Sequence, residues 1–167
     1  MTSPRRLHIV GRKNSGKTTL IVDLVRHFTT HGTRVGTIKH THHQHELDTP
    51  GKDSYRHRAA GAAVVGILSP KLNAVFARPA HEHDSPDQYA RLEPLLADCE
   101  LVLVEGHLHV DAPKIEVWRA ANQTPPIAAE DPTIHALVTD DVLAVDVPVL
   151  ARSDIPALAA YIRRLIG

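Results

Sequence analysis

A chain of 167 residues carrying 19 basic and 19 acidic side chains has no global field to attract nucleic acid or an anionic membrane, so any anion it binds must be held by a local site. The length suits one domain, 1–167, able to bury a core without disulfides or structural metals, and the single Cys99 fits no disulfide, zinc or haem spacing. The apolar run from Leu7 to Val10 is too short for a signal peptide or a membrane span, which predicts a cytoplasmic protein.

Strand-length apolar runs alternate with segments of helical period, the βαβ pattern of a largely parallel sheet flanked by helices. Leu7 to Val10 is the first strand. Leu20, Ile21, Leu24, Val25 and Phe28 recur at three-to-four spacing, predicting a helix over 17–31 that Gly32 can end. A strand over 34–39 follows, then a histidine-rich loop to Gly51 and a helix over 52–61. Runs 63–68 and 72–77 read as paired strands, 87–97 as a helix, and 101–105 as the most apolar strand. The alternation of charged and apolar residues over 114–118 predicts a half-exposed strand. Strands over 134–138 and 147–150 complete the sheet, and Ser153 is expected to cap a closing helix with Leu158, Ile162, Leu165 and Ile166 on its apolar face. The stretches 81–86 and 120–132 read as loop and linker.

Between the first strand and the first helix, Gly11-Arg12-Lys13-Asn14-Ser15-Gly16-Lys17-Thr18 fits G-x-x-x-x-G-K-[ST]. The glycines let backbone N–H groups turn inward around phosphate oxygens, Lys17 reaches the β and γ phosphates, and Thr18 offers a hydroxyl to magnesium. The positive end of the helix adds to the same cradle. This motif in this setting predicts a three-layer α/β/α P-loop NTPase fold with a mostly parallel sheet.

A triphosphate site also needs an acidic group near the metal. Glu105 ends the run Leu101-Val102-Leu103-Val104 at the sheet edge where ligands bind in open α/β folds. Asp48, in the loop after the second strand, is a second candidate to face magnesium, with Glu46 its rival. His40 to His45 places four histidines in six positions, yet lacks a cysteine or a helical frame for tetrahedral zinc, so an anion-contacting or solvated loop is the better reading. No N-K-x-D occurs; Asp140, after the strand ending at Val138, is positioned to accept hydrogen bonds from guanine N1–H and N2–H.

Several blocks then converge. Asn14 to Leu20, Ile38-Lys39-His40, Asp48 to Ser54, Arg58 to Ala62, Leu103-Val104-Glu105-Gly106, Lys114 to Val117 and Pro148 to Ile155 together resemble the molybdopterin-guanine dinucleotide biosynthesis adapter family, MobB, in family order across nearly the whole chain. The resemblance implies a dimeric, weakly hydrolytic GTP-binding protein that assists attachment of GMP to molybdopterin beside a guanylyltransferase, MobA. Carried over by position, Gly16, Lys17, Thr18 and Thr19 would hold phosphates, and Asp48 and Glu105 would face magnesium. Gly106-His107-Leu108 departs from the family, which usually carries an aromatic residue and then a lysine after the glycine. A small-molecule kinase or carboxylate-activating synthetase is the alternative, although no compact arginine-rich lid is visible around Arg78 and Arg91.

Overall fold

The computed structural model of the chain describes residues 5–41, 46–79 and 86–167, so the histidine cluster over 42–45 and most of the loop over 81–86 lie outside the described residues. In chain order the elements are β1 (Arg5–Val10), α1 (Lys17–Thr30), β2 (Val35–Lys39), α2 (Asp53–Ala59), β3 (Val64–Ile67), β4 (Ala74–Ala77), α3 (Glu93–Leu96), β5 (Leu101–Glu105), β6 (Lys114–Val117), β7 (Leu137–Val138), β8 (Val149–Leu150) and α4 (Ile155–Ile166). They fall into two compact units, 1–41 with 92–167, and 42–91.

The first unit is built on a six-stranded sheet in the order β2-β5-β1-β6-β7-β8, with every neighbouring pair parallel. Period-two alternation sorts its side chains. Leu7, Ile9, Leu103, Ile115 and Val138 face Leu20, Leu24 and Phe28 of α1 and Leu158 and Ile162 of α4 in one core. Val10 and Leu137 face the other way, into a smaller cluster with Ala128, Ile134 and the partly buried Leu108 and Trp118. Each fully buried Leu or Ile contributes about 1.5–3 kcal/mol relative to exposure, so truncating Leu24 would cost about 2–5 kcal/mol. Helix α1 ends as its sequence foretells: Gly32 takes φ 80°, and the Thr33 N–H returns to the Phe28 carbonyl at 3.0 Å.

The second unit pairs β3 with β4 in antiparallel register, Val64 opposite Ala77 and Ile67 opposite Ala74. Val65 is buried, whereas Val64, Leu68, Leu72 and Val75 are exposed.

Four expectations need correction. The helix over 87–97 is instead a 3-10 turn, Pro86–Tyr89, followed by the short α3. Pro94 explains the break, because its ring cannot sit inside a continuous helix and is accepted only in the first turn of a new one. Strand β6 is buried on both faces rather than half exposed. Its polar residues are absorbed locally: Lys114 Nζ donates to Leu108 O (3.0 Å) and Thr133 Oγ1 (2.9 Å), and the Glu116 carboxylate accepts from the Ile127 and Ala128 N–H groups (2.9 and 2.8 Å). Strands β7 and β8 are shorter than read, two residues each. Helix α4 is capped by Asp154, which accepts from the Ala157 N–H at 3.0 Å, while the Ser153 hydroxyl donates to Asp140.

Candidate nucleotide-binding site

The segment 11–18 leaves β1 and enters α1 as a tight arch. Gly11, Asn14 and Gly16 all take positive φ (138°, 62° and 97°), a conformation that glycine adopts freely and asparagine tolerates. Gly11 is required for a second reason: a Cβ there would meet Val117 O at 2.4 Å. Gly16 stands at the N-cap of α1 with no side-chain cap, so the first-turn N–H groups of the helix point into the arch.

Lys17 Nζ lies inside the arch, donating to Gly11 O (2.8 Å) and Arg12 O (2.7 Å). Both acceptors are neutral carbonyls, weaker partners for an ammonium than an anionic oxygen would be. Burial lowers the Lys17 pKa; Glu105 opposes the shift and Lys39 reinforces it. Register explains this neighbourhood, because Glu105 at the end of β5 pairs with Ile9 on one side and Lys39 on the other. The Thr18 hydroxyl donates to the Glu105 carboxylate, 2.9 Å from each oxygen. Gly106 then turns with φ 91° and its N–H returns to Ile9 O at 2.9 Å.

The family departure at 107–108 has a structural account. The His107 ring stacks on His40, centroids 4.2 Å apart and planes 11° from parallel, so an aromatic surface is retained. Leu108 packs into the smaller core cluster rather than offering a cation.

Beside the arch runs a cleft of about 490 Å³, walled by Ser15, Gly16 and Thr19 near the loop and by Thr139, Asp140 and Ser153 beyond it. Asp140 Oδ1 accepts from the N–H and hydroxyl of Ser153, both at 2.9 Å, and these bonds hold its carboxyl below the usual range. The structure thus brings Thr18 of the 11–19 segment onto Glu105, and sets Asp140 in the cleft that Ser15, Gly16 and Thr19 line on the other side of the loop. Asp48 belongs to the second unit. There its Oδ1 accepts from the Thr49 N–H (2.8 Å) and the Ser54 hydroxyl (2.9 Å), and Oδ2 has no partner among the described residues. Glu46 is engaged with Arg58 at 2.6 Å, and that hydrogen bond keeps its carboxyl below the ordinary range.

Sequence reasoning missed Trp118, Arg119 and Arg152, which line the cleft together with Asp141. Asp141 accepts from the Ala120 N–H at 2.7 Å, and Arg152 is paired with Asp23 at 2.6 Å. The signal was available: Trp118 and Arg119 follow a strand ending at the same sheet edge that singled out Glu105.

Over residues 6–140 the chain matches the family described as Molybdopterin guanine dinucleotide synthesis protein B. It is 35% identical over 149 residues to the molybdopterin-guanine dinucleotide biosynthesis adapter protein of Escherichia coli (strain K12), covering 89% of this chain and 85% of that one. The Haemophilus influenzae protein of the same name is 33% identical, with 93% and 86% covered. A crystal structure of molybdopterin-guanine biosynthesis protein B (mobB) aligns with TM-score 0.72 at 28% identity over 96% of this chain and 98% of that one. A MobB homolog from Bacillus stearothermophilus aligns with TM-score 0.65 at 26% identity, over 96% and 99%. A match of this extent leaves one assignment: the chain belongs to the MobB family.

Proposed function

We propose that this chain is a GTP-binding adapter that takes GTP with magnesium at Gly11 to Thr18. It assists a partner guanylyltransferase of the MobA kind in attaching GMP to molybdopterin in the cytoplasm. Its similarity to proteins named as adapters of molybdopterin-guanine dinucleotide biosynthesis supports the role. The observation that carries the nucleotide reading is the arch itself, with the Lys17 ammonium inside it and Thr18 and Glu105 joined at its mouth.

Lys17 exchanges two neutral carbonyls for phosphate oxygens when the site fills. The hydroxyl of Thr18 and the carboxylate of Glu105 form a hard oxygen set that fits magnesium. Magnesium there would neutralise charge on the terminal phosphates. Lys17 and Glu105 are also the residues on which weak GTP hydrolysis would depend. Asp140 reads guanine from the far end of the cleft, its charge retained because Ser153 holds the carboxyl ionised. Molybdopterin is a candidate second ligand.

The working form in this reading is a homodimer. A two-stranded ribbon with Val64, Leu68, Leu72 and Val75 exposed is marginal in water by itself and gains from a covering surface.

Mass spectrometry of nucleotide released from protein purified with magnesium, together with the rate of dinucleotide formation by the partner enzyme, tests the proposal. GTP or GDP should be recovered, and Lys17→Ala should remove both nucleotide and stimulation. Rapid phosphorylation of a small acceptor without a partner protein would instead favour the kinase alternative.

A further inference from the structure

We propose that Arg119, with Ser15, forms a subsite for the α-phosphate of the bound nucleotide; this rests on the nucleotide reading of the loop and deepens it. Arg119 follows β6, and its Nη2 lies 3.8 Å from the point that a Cβ on Gly16 would occupy. The Asn122 N–H donates to the Arg119 carbonyl at 3.1 Å, and the residues around it are tied down in turn. The neighbouring Ala120 N–H is held by Asp141 at 2.7 Å, the Asn122 amide donates to Lys13 O at 3.2 Å, and the Trp118 indole donates to Thr124 O at 2.7 Å.

The guanidinium is exposed, and no carboxylate among the described residues pairs with it. Arg152, the other arginine of the cleft, is already committed to Asp23. A second, independent observation lies in the same wall. Ser15 is 3% exposed, yet its hydroxyl has no hydrogen-bond partner among the described residues. A buried hydroxyl without a partner is costly unless a ligand supplies one.

Position along the cleft selects the phosphate. Lys17, Thr18 and Glu105 gather on the side of the loop that serves the β and γ groups. Ser15, Gly16, Thr19 and Arg119 line the other cleft, which continues to Thr139, Asp140 and Ser153 where the nucleoside is placed. The α-phosphate lies between these two ends. A planar guanidinium there can take two of its oxygens at once, which an ammonium cannot.

Calorimetric titration of GTP and GDP, with magnesium, into the wild-type chain, Arg119→Ala, Arg119→Lys and Lys17→Ala tests the subsite. Arg119→Ala should weaken GTP and GDP by the same factor, about ten- to a hundredfold, because both carry the α group. Arg119→Lys should recover only part of the loss. The wild-type chain should also discriminate the two α-thio diastereomers of GTP, and Arg119→Ala should reduce that discrimination. Unchanged GDP affinity in Arg119→Ala, or a loss confined to GTP, overturns the inference while wild-type binding that Lys17→Ala abolishes upholds the nucleotide reading. If the wild-type chain binds neither nucleotide, both fall together.

Discussion

The hydroxyl of Thr18 and the carboxylate of Glu105, 87 positions apart in the chain, lie 2.9 Å from each other through both carboxylate oxygens. The parallel pairing of β5 with β1 makes this possible, since it sets the end of one strand beside the start of the loop that leaves the other. Two hard oxygen donors are thereby assembled by the sheet rather than by a flexible segment. In the proposed reading, two of the oxygens that would face magnesium are therefore held together by the fold itself.

Glu105→Gln keeps the size of the side chain and its bond to Thr18 but removes the charge. The gain in GTP affinity that magnesium provides should fall by about 10–100-fold, while binding of GDP in chelator should change little. Titrations with and without magnesium check this, and a magnesium effect equal to that of the wild type would remove Glu105 from the metal side.

Two glycines make opposite predictions. Gly11→Ala places a Cβ 2.4 Å from Val117 O at φ 138°, so it should destabilise the fold by about 2–4 kcal/mol and abolish phosphate binding. Gly66 has nothing within 4 Å of a built Cβ and no positive φ, so Gly66→Ala should be neutral or stabilise by up to about 1 kcal/mol. Urea denaturation of the two variants measures both signs.

The loop, α1 and β5 were legible because each rests on local signals: a phosphate motif between a strand and an amphipathic period, and an unbroken apolar run. What escaped was decided by distant partners. The polar alternation of Lys114 to Val117 looked solvent-facing, and nothing local announces that Leu108, Thr133 and the 127–128 amides will satisfy Lys114 and Glu116 inside the protein. Arg119 escaped for a similar reason, since its place beside the loop comes from proximity to Gly16, more than a hundred positions earlier. Pro94, by contrast, carried the signal for a broken helix and was underweighted against the apolar spacing around it.

His8 makes stability depend on pH. It is fully buried in β1, and burial lowers its pKa from 6.5 to about 4, with the bond to Gly106 O opposing the shift. The unfolded chain takes up this proton below about 6.5 and the folded chain only below about 4. Its contribution is complete above that window and is lost as pH falls through it, by about 3 kcal/mol. Burial raises the Glu116 pKa, so Glu116 acts in the opposite sense: it favours the fold as pH falls into the carboxylate range. Comparing the wild type with His8→Gln by urea denaturation at pH 7, 5.5 and 4.5 isolates the histidine term. The difference between the two proteins should narrow with acidification, and parallel curves would refute the assignment.

The proposed role of Asp140 in base choice has a direct test. Asp140 Oδ1 accepts from Ser153, and the carboxylate lines the cleft in which a purine edge would lie. Guanine offers N1–H and N2–H donors there, whereas adenine presents an acceptor at N1 that a carboxylate repels. In Asp140→Asn the amide oxygen can retain the Ser153 bonds, so the α4 end of the fold should survive while the outward group becomes a donor. GTP affinity should drop by about ten- to a hundredfold and ATP affinity should hold or rise, bringing the two together. Competition of ATP and GTP for the wild type and the variant reads the ratio directly. A ratio that does not move would assign base recognition to another part of the cleft, and Asp140 would then serve only to anchor Ser153 at the entry to α4.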